Sequence, residues 1–456
     1  MKDKLKEILG NNSILILGFG KEGRSSYKLV RQLIPESKIT IADKNKEAFL
    51  PDKFQGIGAC ELISGDGYLI GLDKYDLIIK SPGIPRHFIP TNINAKKVTS
   101  QTELFLGLFS KQTIGITGTK GKSTTSSLVF HILSAYFNEV VLVGNIGVPP
   151  FDMIDDIHEK TRIVFEMSGH QLENISISPH YAVLLNIFQE HLDHFETYEA
   201  YQNAKFNISR FQNTEDYFIY NSDDPLISKQ VEKGVTATNL LSFSMVQKTG
   251  NGIVGNENGE ISLNQNQLLD LKDREQLPGR HNLMNIMAAV LVCRKMGVPN
   301  DAIRDAIKGF KGLPHRLEYM GEFKGIRFYN DSIATVPEAV IEAVKTLKEV
   351  DTLILGGKDR GIDYKGLVDF LLEGSLRNII FIGEAGKRIL KEIYSKDKHP
   401  GMNCFPIKGF QEMGNIIKEN TRRGKICLLS PAASSYDMFS SFEERGEAFK
   451  KIAENL

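Results

Sequence analysis

Residues 113–124 read Thr-Ile-Gly-Ile-Thr-Gly-Thr-Lys-Gly-Lys-Ser-Thr, an apolar run, a glycine turn and Lys-Ser at the head of an amphipathic stretch. A run of this kind that does not alternate with polar residues is buried on both faces, as strands of parallel sheets are. Parallel strands need crossover connections, and the amphipathic stretch 123–137 supplies one. The same grammar recurs at Ile14–Leu17, 77–79, 140–143, 163–165, 181–185, 353–355, 379–382 and Ile426–Leu429, with amphipathic stretches at 336–347 and 411–420. The expected fold class is α/β with mostly parallel sheets.

A chain of 456 residues exceeds what one hydrophobic core organises. Boundaries are expected near 97–101, just before the glycine-loop strand, and near 309–314, a Gly- and Pro-containing link. They divide the chain into 1–100, 101–312 and 313–456. The polar stretch 247–267 contains Asn-Gly twice and reads as a hairpin or surface insertion.

Hydrophobic residues are 41% and charged residues 25%, with a net charge of +0, so no global basic field draws the chain to nucleic acid. Cys60, Cys293, Cys404 and Cys427 form no C-x-x-C pair and read as reduced thiols. The N-terminal run is charged, and no stretch of about 18 apolar residues exists. A cytoplasmic protein with no membrane partner is expected.

Gly18, Gly20 and Gly23 fit G-x-G-x-x-G after a strand, with Asp43 about twenty residues on. This is the dinucleotide fingerprint, in which the acid meets a ribose hydroxyl. The physics is less specific than the pattern, because any nucleotide diphosphate suits a glycine turn at a helix N-terminus. A nicotinamide oxidoreductase, another nucleotide binder and a purely structural turn all remain open on this loop alone. The turn after the strand 77–79, Ser81-Pro82-Gly83-Ile84-Pro85, is placed to line the same crevice.

The second loop, Gly118-Thr119-Lys120-Gly121-Lys122-Ser123-Thr124, points to ATP. Its backbone N–H groups would cradle phosphates, Lys122 would neutralise their charge, and the Ser123 hydroxyl would help hold Mg²⁺. The match to G-x-x-x-x-G-K-[ST] is not literal, since Ile116 stands at the first glycine position. Glu166 ends the run 162–165, where a carboxylate can reach the metal, although a lone Glu at a strand end is by default a solvated group. His191 and His194 alone are too few for a zinc site.

From here the chain resembles the Mur ligase family over nearly its whole length. The resemblance rests on residues 118–124, Gly144-Asn145-Ile146-Gly147, residues 166–173, Asn186 with His191-Leu192-Asp193, and residues 201–205. It continues through residues 279–285, 313–318, Asn330-Asp331-Ser332 and the Ser-Pro-Ala-Ala-Ser-Ser-Tyr-Asp run 430–437. The first glycine loop with Ser25, the 81–85 turn, and Phe442 and Arg445 resemble the branch that adds D-glutamate. No Asp-Asn-Pro-Arg motif of the diaminopimelate- or lysine-adding branches is present.

The resemblance implies three domains: a Rossmann-like uridine-nucleotide domain, a central P-loop ATPase-type domain and a C-terminal Rossmann-like domain that closes about a hinge near 309–313. It implies an ATP- and Mg²⁺-dependent monomeric ligase that activates UDP-N-acetylmuramoyl-L-alanine as an acyl phosphate for attack by D-glutamate. Another Mur-type amino-acid ligase is the alternative, and a nicotinamide-dependent oxidoreductase is the alternative from a different class.

Lys122, His191 and Lys205 are implied in catalysis, and Ser123, Glu166, His191 and Lys205 in metal binding, Lys205 as a carbamate. Asn282, Asn285, Arg316 and Asp331 are implied at ATP together with the loop 118–124. Gly18, Gly20, Gly23, Asp43, Ser81, Asn145, Ser168 and Gln171 are implied at the UDP-substrate. Arg360, Ser435 and Phe442 are implied at D-glutamate. Ile333 departs from the pattern, standing where the family often carries Lys.

Overall fold

The computed structural model describes residues 2–10, 12–50, 60–234, 239–246, 251–263, 266–271, 277–396 and 401–456. The chain forms two compact units, Met1–Lys272 with His281–Ile307, and Asp273–Arg280 with Lys308–Leu456.

The first unit carries two sheets. The strands β1 (Ile14–Leu17), β2 (Ile39–Asp43), β3 (Glu61–Ser64), β4 (Leu77–Lys80) and β5 (Val98–Thr99) are all parallel, in the order β3-β2-β1-β4-β5. The order reverses between β1 and β4, and a crevice opens beyond the carboxyl ends of strands at such a point. Gly18 follows β1 there and Ser81 follows β4. The Ser81 hydroxyl donates to the Gly18 carbonyl at 2.7 Å.

The second sheet comprises β6 (Thr113–Thr117), β7 (Val140–Gly144), β8 (Arg162–Glu166), β9 (Tyr181–Leu184), β10 (Tyr217–Asn221), β11 (Asn239–Ser244), β12 (Ile253–Gly255), β13 (Glu260–Leu263) and β14 (Asn266–Asp270). The order is β14-β13-β12-β11-β10-β9-β6-β8-β7, parallel from β7 to β12 and antiparallel from β12 to β14. The polar stretch 247–267 thus contributes antiparallel strands at the sheet edge, although residues 247–250 and 264–265 lie outside the described ones. β6 sits between β8 and β9, so the glycine loop at its carboxyl end is flanked by the segments that leave both neighbours.

One hydrophobic core serves both sheets. It includes Ile14, Ile16 and Ile79 of the first, Ile163 and Phe165 of the second, and Phe105 and Phe109 of the helix Gln101–Phe109 between them. The Phe105 and Phe165 rings meet edge to face at 5.7 Å. Burial of such side chains is worth roughly 1.5–3 kcal/mol each, which makes these two sheets a single compact body.

The second unit holds β15 (Glu318–Phe323), β16 (Ile326–Asn330), β17 (Val350–Gly356), β18 (Asn378–Ile382), β19 (Asn403–Pro406) and β20 (Ile426–Leu429), ordered β15-β16-β20-β17-β18-β19. The β15–β16 hairpin is antiparallel and the other pairs are parallel. Helices Pro337–Leu347, Lys365–Glu373 and Gly383–Tyr394 cover one face, while Met413–Asn420 and Phe442–Glu454 cover the other. The stretch 411–420, expected as one helix, begins as a 3₁₀ turn, Phe410–Glu412.

Candidate active site

The loop after β6 leads into the helix Lys122–Tyr136, whose N-cap Gly121 has φ +87°. That left-handed conformation suits glycine, and a Cβ there would also collide with Asn285 Oδ1. Asn285 is thereby packed against the loop. Asn282 lies one turn away on the helix Arg280–Lys295, with its Oδ1 3.4 Å from Asn285 Nδ2.

The loop is anchored by the segment that leaves β9. Asn186 accepts from Thr119 N through its carbonyl at 2.9 Å and from Lys120 N through Oδ1 at 2.8 Å, and donates Nδ2–H to Lys120 O at 3.0 Å. Thr119 Oγ1 meets Tyr201 OH at 2.9 Å, and Lys120 pairs with Glu190. Lys122 Nζ donates to the carbonyls of Gly118 and Thr119, each at 2.9 Å. Ser123 and Thr124 begin the helix behind it, where the first N–H groups have no intrahelical acceptor and favour an anion.

Lys205, on the helix Tyr198–Arg210, reaches the same loop from below. It is 1% exposed, and its Nζ donates to Gly118 O at 2.9 Å and to Thr117 Oγ1 at 3.3 Å. Burial first, and then the charge of Lys122, holds its amine well below the usual lysine range, against the pull of Glu190 and Glu166. A shift in this direction favours the unprotonated amine, which is a nucleophile where the protonated one is not.

Glu166 ends β8 and is fully buried. Its Oε1 accepts from Asn145 Nδ2 at 2.8 Å, while Oε2 is buried with no hydrogen-bond partner. A buried carboxylate oxygen without a partner is costly, and a hard cation would satisfy it in charge and chemistry. Among the described residues no group of three or more His, Cys, Asp or Glu converges as a metal cage. Mg²⁺ needs only one or two protein oxygens and completes its shell with water and substrate phosphates.

His191 adopts φ +57°, an unusual conformation for a side-chain-bearing residue. Burial lowers its pKa, partly offset by Glu190 and reinforced by Lys122 and Lys205. His170, not anticipated from sequence, stands between His191 and His194, with ring centroids 4.8 and 4.2 Å away. Burial and then the two neighbouring rings push it down to about 4. His194 faces Glu173 at 3.4 Å, and Glu173 in turn lies 3.6 Å from the buried Lys80.

A cavity of about 610 Å³ opens at the first glycine loop. Gly18, Gly20, Asp43, Ser81 and Asn145 line it, together with Lys21, Glu22, Lys44, Tyr68 and Phe88, which sequence reasoning did not single out. Gly23 lies behind the loop, where a Cβ would collide with Gly18 O. Asp43 also braces the loop, because its two carboxylate oxygens accept from Phe19 N at 2.6 Å and Asn45 N at 2.7 Å.

Ser168 and Gln171 sit outside this lining. They form a capping box on the helix Gly169–Leu172, and Gln171 Nε2 donates to Glu22 Oε1 at 2.7 Å. Glu22 had a signal in the sequence: a carboxylate within a glycine fingerprint meant for anions.

In the second unit Asp331 follows β16, accepting from Ser430 Oγ at 2.8 Å and Leu317 N at 3.1 Å. Burial pushes its carboxyl up to about 7 against those hydrogen bonds and the charge of Arg316. Arg316 itself is exposed. Arg360 is exposed on the loop after β17, and Ser435 is buried after β20. β17 and β20 are parallel neighbours, and Lys358 N donates to Ser434 O at 2.9 Å, so the two loops adjoin.

Phe442 opens the last helix, and its carbonyl accepts from Ser332 Oγ at 2.8 Å. The buried Arg445 ties Ser332 to Ala433 through three hydrogen bonds. Ile333 is half-buried and donates its N–H to His315 O at 3.1 Å.

Comparison with known proteins agrees with this architecture. Residues 116–293 match the Mur ligase middle domain. A UDP-N-acetylmuramoylalanine–D-glutamate ligase of Ruminiclostridium cellulolyticum is 32% identical, over 100% of this chain and 99% of its own length. The enzyme of that name from Clostridioides difficile is 33% identical over 98% of this chain and 99% of its own.

Among solved structures, the UDP-N-acetylmuramate–alanine ligase MurC of Thermotoga maritima superposes with a TM-score of 0.59 at 18% identity, covering 98% of this chain and 100% of that one. The MurF ligase of Thermotoga maritima, solved with ADP, gives 0.58 at 20% identity, covering 97% and 95%. With two glycine loops, a buried lysine beneath the second and full-length likeness to these ligases, the chain belongs to the Mur ligase family.

Proposed function

We propose that this protein is the ATP-dependent ligase that joins D-glutamate to UDP-N-acetylmuramoyl-L-alanine through an acyl phosphate, in cytoplasmic peptidoglycan precursor synthesis. The observation that carries this reading is the full-length identity of 32–33% to relatives of that name. We assign 1–100 to the UDP-substrate, 101–312 to ATP and 313–456 to the amino acid.

The chemistry needs two anions, a carboxylate and a triphosphate, brought together with their charge neutralised. Lys122 and the helix N-terminus at 122–124 supply fixed positive charge at the phosphate end. Mg²⁺, when bound, would neutralise phosphoryl oxygens and align them. Ser123 and the second carboxylate oxygen of Glu166 would hold one ion, and His191 with a carbamylated Lys205 a second. The lowered pKa of the buried Lys205 amine supports the last assignment, because CO₂ adds to an unprotonated amine.

Asn282, Asn285, Arg316 and Asp331 are assigned to ATP. The glycine-loop cavity, with Gly18, Gly20, Asp43, Ser81 and Asn145 on its wall, is assigned to the UDP moiety. Arg360, Ser435 and Phe442 are assigned to D-glutamate. All three stand on segments beyond the carboxyl ends of one sheet's strands, and an arginine fork suits a carboxylate.

The test is phosphate release with UDP-N-acetylmuramoyl-L-alanine, ATP and a panel of amino acids. D-glutamate should give by far the fastest turnover. Equal rates with L-alanine, D-alanine or diaminopimelate would defeat the specificity assignment.

A further inference from the structure

Glu22 is a half-buried acid, with one carboxyl oxygen fully enclosed, that the ligase chemistry leaves unused. It lies within the first glycine loop's fingerprint, near the N-terminus of the helix Lys21–Leu33, and lines the cavity there. Its side chain is clasped by Gln171 through Oε1 at 2.7 Å, and its carbonyl accepts from Gln101 Nε2 at 3.2 Å. The second carboxyl oxygen, Oε2, is buried and has no hydrogen-bond partner.

The cation whose charge acts on Glu22 is Lys80 on β4, which donates to Ile84 O at 2.6 Å and faces Glu173 at 3.6 Å. The other charged groups on the cavity wall are Lys21, Asp43 and Lys44. Behind Gln171 lie Glu173 and His194, 3.4 Å apart. Burial outweighs the hydrogen bond from Gln171 and the charge of Lys80, and pushes the carboxyl up to about 7.

A nucleotide diphosphate diester carries two full negative charges at neutral pH and has no group of its own that titrates there. Placed in this cavity, it raises the cost of an ionised carboxylate beside it. Protonation relieves that cost, keeps Oε1 as the acceptor for Gln171, and turns the orphaned Oε2 into a donor.

We propose that Glu22 is a specificity residue of the nucleotide cavity, receiving the anionic diphosphate as a neutral carboxylic acid, so that each nucleotide bound brings one proton from solvent onto this carboxyl group. The inference rests on the reading that the cavity takes the UDP moiety. It distinguishes a diphosphate from an uncharged nucleoside, which would enter without a proton.

Calorimetric titration of the full chain with UDP-N-acetylmuramoyl-L-alanine at pH 8, without ATP, in buffers of different protonation heat, tests it. The wild type should take up close to one proton, and its Kd should weaken about fivefold or more from pH 7.5 to 8.5. Glu22→Gln should show no buffer dependence, and uridine should show none with either protein. A wild type without proton uptake, or a Glu22→Gln variant that keeps it, overturns the inference and leaves the nucleotide reading standing. If Glu22→Gln does not fold, a wild-type Kd that stays flat from pH 7.5 to 8.5 overturns it equally. Absence of binding to the wild type removes the nucleotide reading itself.

Discussion

Asn145 and Glu166 stand at the ends of the adjacent parallel strands β7 and β8, with Asn145 Nδ2 2.8 Å from Glu166 Oε1. The main chain repeats the contact, Asn145 N donating to Glu166 O at 3.1 Å. One oxygen of the carboxylate is thereby fixed and the other left open. A residue on the wall of the first glycine loop's cavity thus orients the carboxylate that ends β8.

Glu166→Gln should raise the Mg²⁺ concentration for half-maximal activity by about tenfold or more, since it replaces an anionic ligand with a neutral amide. Asn145→Ala should give a smaller shift of the same sign, as loss of a group that orients a metal ligand does. Magnesium titrations of turnover with both variants check the order. A larger effect from Asn145→Ala than from Glu166→Gln would contradict the assignment.

Lys122→Ala should lower ATP-dependent turnover by on the order of a thousandfold, the scale of removing charge stabilisation from a phosphoryl-transfer site. Affinity for UDP-N-acetylmuramoyl-L-alanine should change by less than about threefold, because Lys122 lies in the second loop and the cavity at the first. Phosphate release and calorimetry read the two separately. Parallel loss of both would contradict two separate nucleotide sites.

Lys205→Ala should abolish turnover, and a small carboxylic acid such as acetate should restore part of it if the missing group is a carbamate. Lys205→Arg should not substitute, because a guanidinium stays cationic. Activity that survives in Lys205→Arg would remove the carbamate assignment.

Asp331 ties pH to stability. Its folded pKa is about 7 against an ordinary 3.8, so the folded state holds the proton more tightly. Its contribution is fully present below about pH 4 and is lost as pH rises through about 7. Asp331→Asn keeps an acceptor for Leu317 N and removes the titration. Relative to wild type, the variant should therefore gain on the order of a kcal/mol or more between pH 5 and pH 8 in denaturant melts. No change in that difference would show that the carboxyl titrates normally.

The core of both units was legible in the sequence. Ile14–Leu17, Thr113–Thr117 and Ile426–Leu429 are continuous apolar runs and became buried parallel strands, because a strand covered on both faces has no reason to alternate. Both glycine loops were legible for a similar local reason, since a turn needing φ > 0 restricts its residue type, as Gly18 at +91° and Gly121 at +87° do. Strands with polar or aromatic content, such as β10 (Tyr-Phe-Ile-Tyr-Asn) and β11 (Asn-Leu-Leu-Ser-Phe-Ser), gave no such run, and the pairing of β10 with β9 and of β11 with β10 had to come from the sheet.

Local pattern in the chain was thus enough for the architecture and the two glycine loops. It could not say which polar groups meet, because those meetings are tertiary. Gln171 reaches Glu22, Asn186 reaches Lys120, and Lys205 comes to lie beneath Gly118, each across a long stretch of chain. Those pairings depend on which strands are neighbours in a sheet and how the two sheets share a core. Burial then shifts the pKa values, lowering Lys205 and raising Glu22 and Asp331, because desolvation penalises whichever form is ionised.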